Sequence, residues 1–340
     1  LGFSPHFFFF FYFKNILRVL EISILRTLGL SANSMALIAI VSFASFLGVG
    51  AISIFTFANN LQTIPQGIVG TSYAVAAFPL LAQAFAKKSK EEFKKHLMKA
   101  ARAIIFWTVP ITFLFIVLRA QIVRVVLGTN TFSWENTRLV AAGLALFSLS
   151  IMAQSMIALF SRTYYASGNT KKPLYINITC SILIVIFSYT LIHVFQNFPY
   201  FRYFIESLLR VSDIKGTTVL MLPLAYSLGT ILNFVLHWIS VRKHFMHSES
   251  FISKAFFQSL GASFFFFFSA YGTLNFLSPI FGTTTFFGVF FQGLIAGFFG
   301  ILVGGFVLYI LKNEEIEELL KNLKTKFWKA ERIAPPQEEL

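Results

Sequence analysis

The chain reads as long apolar stretches separated by short charged ones, not as an alternation of hydrophobic and polar positions. Residues 27–86, 139–161, 173–201, 216–241 and 255–311 contain no Lys, Arg, Asp or Glu. A further stretch, 103–118, is shorter and extends into its flanks. A helix needs about 20 apolar residues to cross a bilayer, so the first and last of the long stretches each hold two crossings. The pattern predicts eight spans, near 18–47, 51–86, 97–119, 137–163, 172–197, 217–242, 252–276 and 283–311. A transmembrane β-barrel is excluded, because its strands alternate lipid-facing and lumen-facing residues and these runs are continuously apolar. The expected fold class is an all-α polytopic membrane protein of about eight transmembrane helices.

Composition agrees with that reading. Of the 340 residues, 56% are hydrophobic and 12% are charged, against about 25% charged in a soluble domain. The net charge of +14 would point to nucleic acid in a soluble protein, but its placement argues otherwise. With eight crossings, 21 of the 28 Lys and Arg residues fall on the side holding both termini and the connections near 87–102, 162–172 and 242–254. The other side holds Arg119, Arg124, Arg138, Arg202, Arg210 and Lys215, and Arg26 lies within the first span. That asymmetry is the positive-inside rule, and it places both termini in the cytoplasm. The partners expected are membrane lipids and no nucleic acid.

The segments between spans have their own character. Residues 1–17 include an unbroken aromatic run from Phe7 to Phe13, expected to lie at the headgroups. The turn Lys87–Lys95 is a solvated cytoplasmic anchor. In Tyr200–Lys215, Phe201, Phe204, Ile205, Leu208 and Leu209 fall near one helical face, so this segment is expected to lie on the outer surface. From Asn313 to Arg332 an amphipathic helix is predicted, with Ile316, Leu319, Leu320, Leu323 and Phe327 on one stripe. Its acids precede its bases, matching the helix dipole, and it either packs at the cytoplasmic interface or binds a partner. Cys180, the single cysteine, reads as a small buried apolar residue. The chain begins with Leu and shows no signal peptide before its first span, and we read it as a fragment whose beginning is missing. The organisation expected is an interfacial segment (1–17), a six-span lobe (18–243), a final helix pair (244–312) and a cytoplasmic tail (313–340).

Signals for covalent chemistry are poor. Paired intramembrane carboxylates are absent, with only Glu21 near a span core, and no phosphate-binding Gly-rich loop occurs. His244 with His247 is a weak metal signal, so neither a metal nor a cofactor is expected. Polar residues inside spans guide better, because each is costly there without a partner or water. The densest group runs Asn59-Asn60-Leu61-Gln62-Thr63-Ile64-Pro65-Gln66-Gly67. Pro65 removes a backbone hydrogen bond and Gly67 loosens the next turn, so the helix should kink or unwind here. Its amides then either glue helices together or line a water-filled cavity of the kind transporters build at broken helices. Arg26 is a second cavity candidate, and Asn177 with Ser181, one turn apart, form a polar patch suited to hydrogen bonding between helices.

Several ordered motifs then carry a resemblance. Leu25-Arg26-Thr27-Leu28-Gly29-Leu30-Ser31 leads to Phe43-Ala44-Ser45-Phe46-Leu47-Gly48-Val49-Gly50, then to Ala58 through Gly70 and to Ala77-Phe78-Pro79-Leu80-Leu81. Val109-Pro110, Phe132 with Thr137, and Tyr164-Tyr165-Ala166-Ser167-Gly168-Asn169-Thr170-Lys171-Lys172-Pro173 continue the series. This order resembles the MurJ/MviN family of the MOP superfamily, the lipid II flippases of bacterial cell-wall synthesis, over about residues 15–195. The resemblance implies the second of two MATE-like transporter lobes plus a final helix pair that guides a lipid tail. It also implies transport by alternating access in the bacterial cytoplasmic membrane, no cofactor, and no enzymatic step. Asn59, Asn60, Gln62 and Arg26 would face the substrate cavity, while Pro65, Gly67 and Pro79 would break or gate helices. Where the family places an Asp–Arg pair, this chain has the amides Asn59 and Asn60, which donate hydrogen bonds but carry no charge. Two other functions fit the same pattern: export of another lipid-linked glycan or a drug, and a transport-dead scaffold that recruits cell-wall synthesis proteins through its tail.

Overall fold

The computed structural model describes residues 13–128, 133–246, 251–282 and 285–328, and every regular element among them is helical. The predicted aromatic run at the start, His247, and the end of the tail lie outside the described residues, apart from Phe13 itself. The first span is α1 (Phe13–Phe46), which starts inside the segment expected at the interface. The second combines α2 (Ala51–Pro65), a π-helical turn (Gln66–Thr71) and α3 (Ser72–Ala86) into one 36-residue run. The third is α4 (Lys90–Leu127), and the fourth is α5 (Trp134–Ser148) with α6 (Ile151–Ala166), bent by 44° at the break. Next come α7 (Lys171–Asn197), the short α8 (Pro199–Leu209), and α9 (Met221–Val241), flanked by a 3-10 turn and a π turn. The pair α10 (Phe251–Phe281) and α11 (Phe286–Ile310) follows, then α12 (Glu314–Trp328). Among the described residues six runs are long and apolar enough to cross a membrane, the bent pair makes a seventh, and α1 occupies the place of the eighth.

Local chemistry explains the breaks between these helices. After α3, Lys88 takes a left-handed conformation (φ 56°), and Ser89 then caps α4 by accepting from the Glu92 N–H at 3.4 Å. Ser89-Lys90-Glu91-Glu92 thus has the spacing of a capping box, with Glu91 and Glu92 in the dipole-favoured first turn. Ser133 caps α5 in the same way, accepting from Asn136 N–H at 3.1 Å.

Two apolar cores form, one at each end of the bundle. At the Lys/Arg-poor end, Ile40, Phe55, Leu61, Leu144, Phe147 and Leu222 pack with residues of α7 and α8. At the Lys/Arg-rich end, Leu81, Leu97, Ile104, Phe160 and Tyr164 form the other. Gln62 and Gln66 of the second span, Gln154 of the fourth, and Thr230 and Asn233 of the sixth fall in the sequence intervals between the buried residues of these cores.

The final pair packs on α4 through Phe106, Ala262, Phe266 and Leu308. Close approach depends on glycine: a Cβ on Gly304 would sit 1.9 Å from the Phe266 ring. Small residues at such contacts are how membrane helices gain packing that lipid cannot supply. The predicted tail helix is present as α12. Its acidic start docks on α4, with Lys99 to Glu318 at 2.7 Å and Arg102 to Glu314 at 2.5 Å and to Glu315 at 3.2 Å.

In α8 the apolar positions divide by burial: Phe204 and Leu208 are exposed, and the buried side is Ile205, Glu206 and Leu209. Glu206 is tolerated there because Thr217 Oγ1 donates to its carboxylate at 2.6 Å and Arg202 Nε at 3.1 Å.

Candidate functional site

Proline at position 65 offers no N–H to the carbonyl four residues back, and its ring crowds that carbonyl. The helix responds by widening into the π turn Gln66–Thr71 and then resuming. The widened turn lies against α6 so tightly that a Cβ on Gly70 would stand 2.3 Å from Ser155 Oγ. On the facing span, the bend redirects the Ser150 N–H to Phe147 O at 2.9 Å. This frees the carbonyl of Leu146, which Ser227 Oγ of α9 satisfies at 2.8 Å. Two interrupted spans therefore meet at mid-bundle.

At that meeting Gln154 Nε2 donates to Gln62 Oε1 at 2.9 Å, and Gln62 Nε2 donates to Asn59 Oδ1 at 3.2 Å. Gln62 is fully buried, so these contacts satisfy an amide that would otherwise be costly. Beside them lies a cavity of about 260 Å³ lined by Asn33 of α1, Gln66, Gln154, Ser161 and Arg162, Asn177 and Ser181 of α7, and Tyr226, Thr230 and Asn233 of α9. Asn233 Nδ2 donates to Asn177 Oδ1 at 3.2 Å, and the buried His237 donates from Nδ1 to Asn233 Oδ1 at 2.7 Å. Asn33 and the Tyr226 hydroxyl meet at 3.4 Å. Arg162 is the one Lys or Arg among the described lining residues, and it donates to Ala158 O at 3.1 Å.

The lining is therefore amides and hydroxyls with a single guanidinium toward the Lys/Arg-rich end. No carboxylate is among the described lining residues. Such a site can hydrogen-bond a polar headgroup without a fixed negative charge opposing a phosphate. No group of three or more His, Cys, Asp or Glu is gathered anywhere among the described residues.

The structure separates the residues that the sequence grouped. Asn177 and Ser181 line the cavity. Gln62 lies just behind it and Asn59 behind Gln62, while Asn60 is exposed on the opposite side of the helix. Pro65 is buried, but Gly67 and Pro79 are exposed, with open space around Gly67. Arg26 lies on α1, and its side chain is outside the described residues. Gln154, Asn33, Tyr226, Asn233 and Arg162 went unnoticed in the sequence. The signal for the first four was the same as for Asn59: a polar group inside a charge-free run.

Comparison with known proteins places this architecture. The family model described as lipid II flippase MurJ matches residues 1–295. The chain belongs to this family. Similar curated proteins include the probable lipid II flippase MurJ of Rickettsia prowazekii, 25% identical over 209 residues, covering 62% of this chain and 37% of that protein. The probable lipid II flippase MurJ of Buchnera aphidicola from Acyrthosiphon pisum is 28% identical over 189 residues, covering 55% and 37%. A solved structure of lipid II flippase MurJ in an inward closed conformation superposes with a TM-score of 0.61 at 20% identity, covering 92% of this chain and 57% of that one. It shows the shared fold. The matched regions span little more than a third of the length of those two curated relatives. Family membership and the apolar helices make the chain a multi-pass protein of the bacterial inner membrane.

Proposed function

We propose that this chain forms the second lobe and final helix pair of a flippase that moves the lipid-linked peptidoglycan precursor, lipid II, across the membrane by alternating access. The observation that carries the reading is the polar layer between two apolar cores, built where two spans of a MurJ-family fold are interrupted. Interrupted helices at membrane depth are tolerated where they line a cavity, and transporters place substrate there. On this reading residues 18–243 make the lobe, 244–312 the pair, and the Lys/Arg-rich end faces the cytoplasm. Hydrogen bonds from Gln154, Asn177 and Asn233, with Arg162 toward the cytoplasm, meet the sugar and pyrophosphate portion. On the same reading Asn60, exposed on its helix, faces the rest of the translocation path, and Arg26 is assigned to that path from its sequence position on α1 alone.

The test expresses the reading frame containing this chain in a bacterium depleted of its own MurJ, and scores growth and outward exposure of lipid II. Rescue is expected, and Gln154→Leu or Asn60→Leu should reduce it at unchanged protein level. A stably inserted protein that gives no rescue would sink the lipid II reading.

A further inference from the structure

A second and larger cavity, of about 630 Å³, lies at the Lys/Arg-poor end, where α4, α5 and α8 face the final pair. Three of the six cations assigned to that end, Arg119, Arg138 and Arg210, line it. Arg138 is spent on Asp213, which it grips at 2.6 and 2.7 Å. Arg119 and Arg210 are not balanced in this way. Among the described residues Arg119 donates a long bond, 3.4 Å, to the Leu209 carbonyl, and it is near enough to Arg210 for the two charges to repel. Arg210 reaches across to Tyr271 of α10. No carboxylate is among the described lining residues.

In the same cavity, Gln292 of α11 is 3% exposed and its Oε1 has no donor among the described residues, while its Nε2 donates to Leu274 O at 3.1 Å. That bond fixes the amide, so the oxygen is the end left unsatisfied. The buried Oε1 of Gln121, also on the lining, has no donor among the described residues either. A buried acceptor without a partner is rare and costly. Most of the remaining wall is apolar, with Thr137, Tyr271, Asn275 and Ser278 as its polar members, and the neighbouring exposed face of α8 presents Tyr200, Tyr203 and Phe204, a set suited to a membrane interface.

We propose that this pocket holds the headgroup of a glycerophospholipid from the leaflet at that end, with its phosphodiester on Arg119 and Arg210 and its headgroup hydroxyls donating to Gln292 and Gln121. A monoanion between two guanidiniums relieves their repulsion through charge-assisted hydrogen bonds, and hydroxyls supply the donors that the two amide oxygens lack. The mainly apolar wall, formed by residues such as Ile116, Leu149, Leu208 and Phe267, favours a lipid over a soluble anion. The proposal rests on the membrane reading but not on lipid II transport, so it stands or falls separately from the rescue test.

The purified chain in neutral detergent is offered phosphatidylglycerol, phosphatidylmethanol (a phosphodiester without headgroup hydroxyls) and phosphatidylcholine, and bound lipid is counted by native mass spectrometry. Phosphatidylglycerol should be retained above the other two. The pair Arg119→Gln with Arg210→Gln should lower that retention about a hundredfold, roughly tenfold for each charge-assisted bond lost. Gln292→Leu should erase the preference over phosphatidylmethanol, and Lys215→Gln, an exposed cation at the same end outside the pocket, should change nothing. Equal retention of phosphatidylcholine by the unaltered chain would overturn the proposal even if the variants misfold. So would complete displacement by excess inorganic phosphate, which would mark a site for free anions.

Discussion

The second and fourth spans both leave α-helical geometry beside the Gln62–Gln154 contact, one at Pro65 and the other at Leu149–Ser150 without any proline or glycine at the bend. In the second span the lost hydrogen bond is absorbed within the chain. The backbone widens to the π turn and continues as one 36-residue run. In the fourth span the chain turns by 44°, and the carbonyl it frees is satisfied by Ser227 on a different helix. One interruption is local and the other depends on tertiary contact. The difference predicts which of the two is vulnerable to changes in a neighbour.

The largest expected effect lies where the two interruptions touch. Gly70→Ala places a Cβ 2.3 Å from Ser155 Oγ and 2.8 Å from Ser155 Cα, so backbone must move. Overpacking of that kind costs about 3 kcal/mol. The thermal midpoint in detergent should fall, and Ser155→Gly in the same chain should recover part of the loss. A Gly70→Ala variant as stable as the parent would mean that the π turn and α6 do not approach this closely.

A smaller effect separates the two interruptions. Ser227→Ala leaves the Leu146 carbonyl without its donor, at a cost of about 1 kcal/mol in stability. The loss should appear as faster amide exchange around residues 146–151 and not around 66–71. Equal loosening of both segments would show that the bend is as self-contained as the π turn.

What could be read in the sequence follows the same division. Pro65 announces its interruption because its chemistry is local, and the apolar runs locate the six long spans and the bent seventh among the described residues because the bilayer acts on composition alone. The α5–α6 bend has no local cause, so nothing in Leu149-Ser150 separates it from continuous helix; its support sits almost eighty residues away in Ser227. The candidate site was legible in kind but not in grouping. Asn59 and Asn60 are neighbours in sequence, yet helical geometry turns them to different faces, while Gln62 and Gln154 are joined only by the fold. At α8 the apolar count could not show that Glu206 is buried beside Ile205 and Leu209, because its hydrogen bond from Thr217 is made only by the fold.

The smallest effect concerns how the Lys/Arg-poor half of the bent span is held. Arg138, near the start of α5, donates to Asp213 through two nitrogens and also to the carbonyl of Arg210. The Arg138 hydrogen bond holds the Asp213 carboxyl below its usual value. A depressed carboxylate adds stability above its unfolded pKa, about 3.9 for Asp, and loses that contribution as the pH falls through the lower folded value. Asp213 is exposed, so the contribution is small and screened by salt. Asp213→Asn should therefore lower the thermal midpoint slightly at pH 6 and low salt, by less at high salt, and not at all once the pH is below the folded value. The second span from Ala51 to Ala86 contains no Lys, Arg, Asp or Glu, so amide exchange around its π turn should show no such pH window. A difference between the variant and parent that persists unchanged into acid would mean the Arg138–Asp213 contact acts through packing, not charge, and that the two spans are held by the same kind of force after all.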